Sequence, residues 1–225
     1  GNEFNSIVKK WEDTELHVAL AFPDLYEIGM SYYGYQILYH ILNKEAWIAA
    51  ERVFSPWLDM EKKLREEKIP LFTLESKRPV KEFDILGITL QYELQYSNIL
   101  NLLSLSGIPL FIGERSGEYP LVVGGGPCAY NPEPVAPFFD CVVIGDGEEV
   151  SVELAEEVRK GKTDALSRKE LLQNLARIQG VYVPSLYRTE GGRPVPVSGD
   201  IPETVYGRII PALKPGYYPD KPLVP

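Results

Sequence analysis

Three short apolar runs in this chain end abruptly in proline or glycine. Residues 16–22 (LHVALAF) stop at Pro23, residues 121–123 run into Gly124, Gly125 and Gly126, and residues 141–144 run into Gly145, Asp146 and Gly147. A fourth run, residues 84–90 (DILGITL), is apolar apart from Asp84 and Thr89. Apolar runs this short, without polar alternation, read as strands buried on both faces. Between them lie segments with helical spacing. Residues 32–43 carry Tyr35, Leu38, Tyr39 and Leu42, with Ser31 as the expected N-cap. Residues 57–68 place Trp57, Met60 and Leu64 on one face. Residues 93–106 turn Leu94, Ile99, Leu102, Leu103 and Leu105 inward, with Gly107 closing the helix. Residues 148–160 open on acidic side chains, as the helix dipole favours, and residues 165–177 form a further helix. Residues 48–54 read as another strand, and residues 71–74 and 110–112 as short extra ones.

Strands alternating with helices predict an α/β fold, with a parallel sheet of about five strands covered by helices on both faces. The expected strand order is the flavodoxin-like 2-1-3-4-5. After Gly180 the texture changes to short strands over residues 181–183, 186–189 and 195–197 with a Gly191-Gly192 turn. We therefore divide the chain into a first domain, residues 1–178, and a small C-terminal β extension and linker, residues 179–225. The last fifteen residues, PALKPGYYPDKPLVP, hold five prolines and cannot form a helix or an interior strand. They read as an extended arm whose Tyr217, Tyr218, Leu223 and Val224 want a surface. This arm and a Gly1 start lead us to expect a segment of a longer polypeptide.

Composition narrows the function classes. The 225 residues carry 32 acidic and 23 basic side chains, a formal net charge of -9. This acidic balance argues against nonspecific nucleic-acid binding, which needs clustered cations. No apolar stretch approaches the ~20 residues of a membrane span, and no secretory leader opens the sequence. The expected setting is the cytoplasm, with no nucleic-acid or membrane partner. Two cysteines exclude a disulfide scaffold. Cys128 and Cys141 have no nearby His and no metal spacing, and His17 and His40 read as packing or surface residues. No Ser–His–acid or Cys–His arrangement follows from two histidines so placed.

Ligands of open α/β sheets sit outside the carboxyl ends of the strands. Residues 23–30 (PDLYEIGM) hold Asp24 and Tyr26; they read as a loop folded onto the next helix or as one wall of a cleft. Thr89, Gln91 and Tyr92 place polar groups at the next strand end, or serve as a cap and packing. Gly124, Gly125 and Gly126 let backbone approach a flat ligand or another chain, or simply make a tight turn. They lack the lysine of a P-loop and the spacing of a dinucleotide fingerprint. Gly145, Asp146 and Gly147, followed by Glu148 and Glu149, fill the positive field of a helix start with their own carboxylates. That start repels an anion but suits hydroxyl or amide groups, or a basic partner surface.

PDLYEIGMS, FSPWLD, IPLFTLES, DILGITLQYELQYSNILNLL, GGGPCAYNPEPVAPFFD and VIGDGEE, occurring together and in this order, resemble the N-terminal region of a family of radical-SAM proteins of unknown specific function. That region is similar to a flavodoxin-like cobalamin-binding domain placed before an iron–sulfur barrel. The resemblance implies S-adenosylmethionine and a 4Fe-4S cluster in the parent protein. It implies a C-terminal radical-SAM domain of the same polypeptide as partner, and a cleft that takes a small molecule or cofactor, cobalamin among them. The three-cysteine cluster motif is missing here, so this segment alone is expected to be non-catalytic. Cobalamin domains that ligate cobalt use Asp-x-His-x-x-Gly; here Tyr26 stands where the His would, a poor ligand at neutral pH with its pKa near ~10. The resemblance thus implies an accessory domain that caps the barrel or contributes to binding substrate or cofactor. The implied cofactor-binding residues are Asp24, Tyr26, Gln91, Tyr92, Gly124, Gly125, Gly126, Gly145, Asp146 and Gly147. The alternatives are an autonomous cobalamin module without a protein axial ligand, and a free flavin or nucleotide binder.

Overall fold

A computed structural model describes residue 3 and residues 6–219. Gly1, and Leu223 and Val224 of the arm, lie outside the described residues. A six-stranded sheet runs in the order β2-β1-β3-β4-β5-β6. Its strands are β1 (Leu16–Phe22), β2 (Ile48–Phe54), β3 (Ile85–Thr89), β4 (Leu121–Gly125), β5 (Cys141–Val143) and β6 (Val181–Tyr182). The first five are parallel, in the expected 2-1-3-4-5 order. The sixth pairs antiparallel with β5, with Val142 opposite Tyr182, so the chain beyond residue 179 extends the main sheet. A separate hairpin, β7 (Tyr187–Glu190) and β8 (Arg193–Pro196), follows it.

Strand alternation sorts the core into two layers. Leu16, Val18, Leu20 and Phe22 of β1 face one layer with helices α2 (Tyr33–Lys44), α5 (Gly147–Thr163) and α6 (Arg168–Leu175). Ala19 and Ala21 face the other, with α3 (Leu58–Glu66) and α4 (Tyr96–Leu105). A one-turn helix, α1 (Tyr26–Gly29), links β1 to α2. No helix among the described residues is long and apolar enough to cross a membrane.

Several local expectations need correction. Ser31 is not the cap of α2; Tyr32 holds that position, and the Ser31 hydroxyl donates to the Ile28 carbonyl. Residues 71–74 form no strand: Phe72 makes one isolated bridge to Pro79, while the Leu71 amide donates to the Leu105 carbonyl and the Leu74 amide to the Arg52 carbonyl of β2. Residues 110–112 lead into a 3-10 turn, and α6 is shorter than its apolar pattern. Leu94 is 75% exposed and Trp57 61%, against the inward positions that helical spacing gave them. A 3-10 turn over residues 93–95 rotates Leu94 away from α4, and Trp57 precedes the first turn of α3. Both therefore stand beyond the end of the sheet.

Candidate functional site: a cavity at the strand ends

On the α2/α5 face, above β3, the two helices leave the sheet uncovered. The sheet supplies Gly87, which has no side chain to fill the gap, flanked by Val18, Leu20, Ile85, Val123 and Val143. Leu38 and Leu42 of α2 and Val150, Leu154 and Ala155 of α5 form the other walls. The result is a cavity of about 380 Å³. Its inner end is aliphatic, and the one phenol there is satisfied, since the Tyr35 hydroxyl donates to the Leu20 carbonyl at 2.8 Å. Its polar residues gather toward the carboxyl ends of the strands: Thr89, Gln91, Tyr130, Asp146, Glu148 and Ser151. Gln91 Nε2 donates to Thr89 Oγ1 at 2.5 Å.

Seven of the ten residues expected at a cofactor site line this cavity: Gln91, Gly124, Gly125, Gly126, Gly145, Asp146 and Gly147. Asp24, Tyr26 and Tyr92 do not. The Asp24 carboxylate accepts the Leu25 amide and Gln95 Nε2, at 2.8 and 3.0 Å. Tyr26 stacks edge-on against Phe54 and donates its hydroxyl to Glu3 at 2.6 Å. Burial, then the Glu3 carboxylate, push its phenol up to about 12. Tyr92 is half exposed on the rim loop after β3. Sequence reasoning missed Gly34, Gly87 and the α5 wall; the signal available was a glycine inside an otherwise apolar strand, which marks a missing side chain.

The glycine turns also hold the chain's own backbone. Gly126 has φ 126, and a Cβ there would lie 2.9 Å from the Leu90 carbonyl oxygen. Around it, the Leu90 amide donates to the Gly125 carbonyl and the Cys128 amide to the Leu90 carbonyl. At the next turn the segment 206–210 crosses as a strap. The Arg208 amide donates to the Ile144 carbonyl at 2.8 Å, and the Asp146 amide donates to the Arg208 carbonyl at 2.9 Å. The Ile210 amide donates to Asp146 Oδ2 at 2.8 Å. Arg208 also pairs with Glu149 and Glu153, and Lys214 with Glu149. The acidic start of α5 thus meets a basic surface, and that surface belongs to this chain. The arm continues with Tyr217 donating to Glu149 and Tyr218 stacking on Tyr33.

These residues do not fit an axially ligated cobalamin. The loop that would supply the ligand spends Asp24 on Leu25 and Gln95 and Tyr26 on Glu3. Nor do they fit an iron–sulfur cluster, which needs three thiolates where the chain has two cysteines. Cys141 is buried in the core, its thiol pushed far up by burial. Cys128 sits partly exposed beyond β4, its thiol also raised by burial. Among the described residues no three His, Cys, Asp or Glu side chains are grouped to hold a metal ion.

An open, doubly wound α/β domain with its cavity at the carboxyl ends of parallel strands is the class this geometry defines. Residues 34–184 match the family described as "Radical SAM proteins, N-terminal", and the chain belongs to that family. A curated relative, uncharacterized protein MJ0966 of Methanocaldococcus jannaschii, is 25% identical over 171 residues, covering 76% of this chain and 32% of its own length. The chain thus spans about a third of the length of that relative. No solved structure matches it.

Proposed function

We propose that this chain is an accessory N-terminal domain that docks, by its strand-end face, on the radical-SAM domain of the same polypeptide. The observation that carries the reading is where the exposed large apolar side chains stand. Tyr33 follows β1, Trp57 and Leu58 follow β2, Leu94 follows β3, Tyr130 follows β4, and Ile209 lies on the strap across the exit of β5. Because β1 to β5 are parallel, all these loops share one edge of the sheet. Apolar side chains gathered from separate loops onto one edge mark an interaction surface. The arm that leads onward lies on the same edge, with Tyr218 against Tyr33. The partner would hold the 4Fe-4S cluster and S-adenosylmethionine that the family resemblance implies, in the cytoplasm, and the cavity mouth would open toward it. This domain then caps the partner and contributes to binding there, without catalysing a reaction itself.

Hydrogen exchange of the 225-residue chain against the full-length protein tests this. Residues 26–33, 57–60, 92–95 and 128–131 should exchange more slowly in the full-length protein. The loops around Ile69 and Phe111, at the opposite edge, should not change. Equal exchange of the strand-end loops in both would sink the docking reading. Cobalamin as a resident cofactor is checked separately by visible spectroscopy during titration. The committed Asp24 and Tyr26 side chains lead us to expect no axial-ligand spectrum.

A further inference from the structure

We infer that the strand-end cavity is a binding site for a small amphiphile with an apolar body and an uncharged or cationic head. Four observations carry this. The cavity, about 380 Å³, falls within the ~300–1,000 Å³ range of small-molecule pockets. Its inner walls come from Val, Leu, Ile and Ala side chains and the Gly87 backbone, and offer nothing polar that lacks a partner. The two buried side-chain oxygens without a hydrogen-bond partner among the described residues, Ser55 Oγ and Gln95 Oε1, are not part of the lining. A polar group inserted there would lose its hydration without compensation, so the inserted part is apolar.

The mouth decides the head group. Asp146 and Glu148 line it, and among the described residues no Lys, Arg or His does. A helix start ordinarily favours an anion, but Glu148 and Glu149 already occupy the first turn of α5. The nearby cations are committed, Arg208 to Glu149 and Glu153 and Lys214 to Glu149. A carboxylate or phosphate head would face two carboxylates with no counter-charge. An amine, hydroxyl or amide meets acceptors at Asp146, Glu148 and Gln91. Specificity therefore includes rejection of anionic analogues as well as attraction of the ligand. This inference does not depend on the docking reading, since the cavity is complete within this chain.

The test uses the full 225-residue chain and Nile red as an uncharged apolar probe. Decylamine, decanol and decanoate, which share one tail length, then compete below their aggregation concentrations. Decylamine and decanol should displace the probe, with decanoate at least about tenfold weaker. Gly34 lines the mouth, and a Cβ there meets nothing within 4 Å. Gly34→Leu should therefore obstruct the cavity without disturbing the fold and lower probe affinity severalfold. Glu148→Lys should shrink the preference for decylamine over decanoate. A Leu94→Asp variant, altered on the docking edge only, should titrate like the parent; if probe binding is lost there instead of in Gly34→Leu, the probe reads the exposed edge and the cavity proposal fails. Absence of saturable probe binding, or equal competition by decanoate and decylamine, also overturns it.

Discussion

Gly124, Gly125 and Gly126 look interchangeable in sequence, yet their surroundings give them different costs of change. At Gly125 a Cβ would meet Val143 at 3.7 Å, ordinary contact, with no positive φ. At Gly126 the backbone is left-handed and a Cβ presses on Leu90. Gly126→Ala should destabilise by roughly 1–3 kcal/mol, since both strain and overlap act. Gly125→Ala should stay within about 1 kcal/mol of the parent. Urea denaturation of both variants gives the comparison, and equal losses would contradict it. Asp84 carries a second expectation at this scale. Its carboxylate accepts the His17 amide at 2.8 Å and Lys162 Nζ at 2.7 Å, and contacts His17 Nδ1 at 3.2 Å. Burial alone would raise its pKa, but these partners hold it below the ordinary value of 3.8. A depressed folded-state pKa contributes stability above the unfolded value and loses it as pH falls through the folded one. Asp84→Asn should lower stability at neutral pH and flatten the acid limb below about pH 4, as read by melting temperature against pH.

The elements themselves were largely legible, because a strand buried on both faces leaves an uninterrupted apolar run and a covering helix leaves a 3.6-residue period. Residues 16–22 and 84–90 became β1 and β3 on that signal, and the parallel order followed from alternation with helices. What was not legible is how the edge strand β2 is protected. Asn43 takes both backbone groups of Ala50, its Oδ1 accepting the amide and its Nδ2 donating to the carbonyl. Glu75 accepts the Arg52 amide, and the Leu74 amide donates to the Arg52 carbonyl. The Arg52 guanidinium, fully buried, pairs with Glu3 and Glu75 and lies over the Tyr39 ring. Glu75 and Glu3 lie 23 and 49 residues from Arg52, so no local pattern announces them. Covering an edge in this way blocks strand addition by another chain. Arg52→Met should cost about 3–5 kcal/mol, because it leaves Glu75 buried without its counter-ion. Burial already raises the Glu75 carboxyl, with Arg52 opposing that rise. Adding Glu75→Gln to Arg52→Met should recover part of the loss, and a double variant no better than the single would count against this account.

Over the whole molecule, the glycine turns of the site were readable, while Gly34, Gly87 and the parts carried by long-range packing were not. The glycine turns mark the carboxyl ends of β4 and β5, but the strap at Arg208 arrives from more than sixty residues downstream. Leu94 and Trp57 fit helical apolar faces in sequence, but they stand in the turns that precede α4 and α3 and are exposed there. That misfit leads to the final expectation. Both side chains are solvent-exposed in this chain, so Trp57→Asp with Leu94→Asp should change its stability by no more than about 0.5 kcal/mol per site. In the full-length protein the two carboxylates would be placed against a covering surface, where an unpaired charge is costly. There the double variant should lower the melting temperature or loosen the domain enough to admit protease between the two halves. An unchanged full-length protein would mean that these loops remain in water in the assembled molecule, and that the apolar edge serves a different partner.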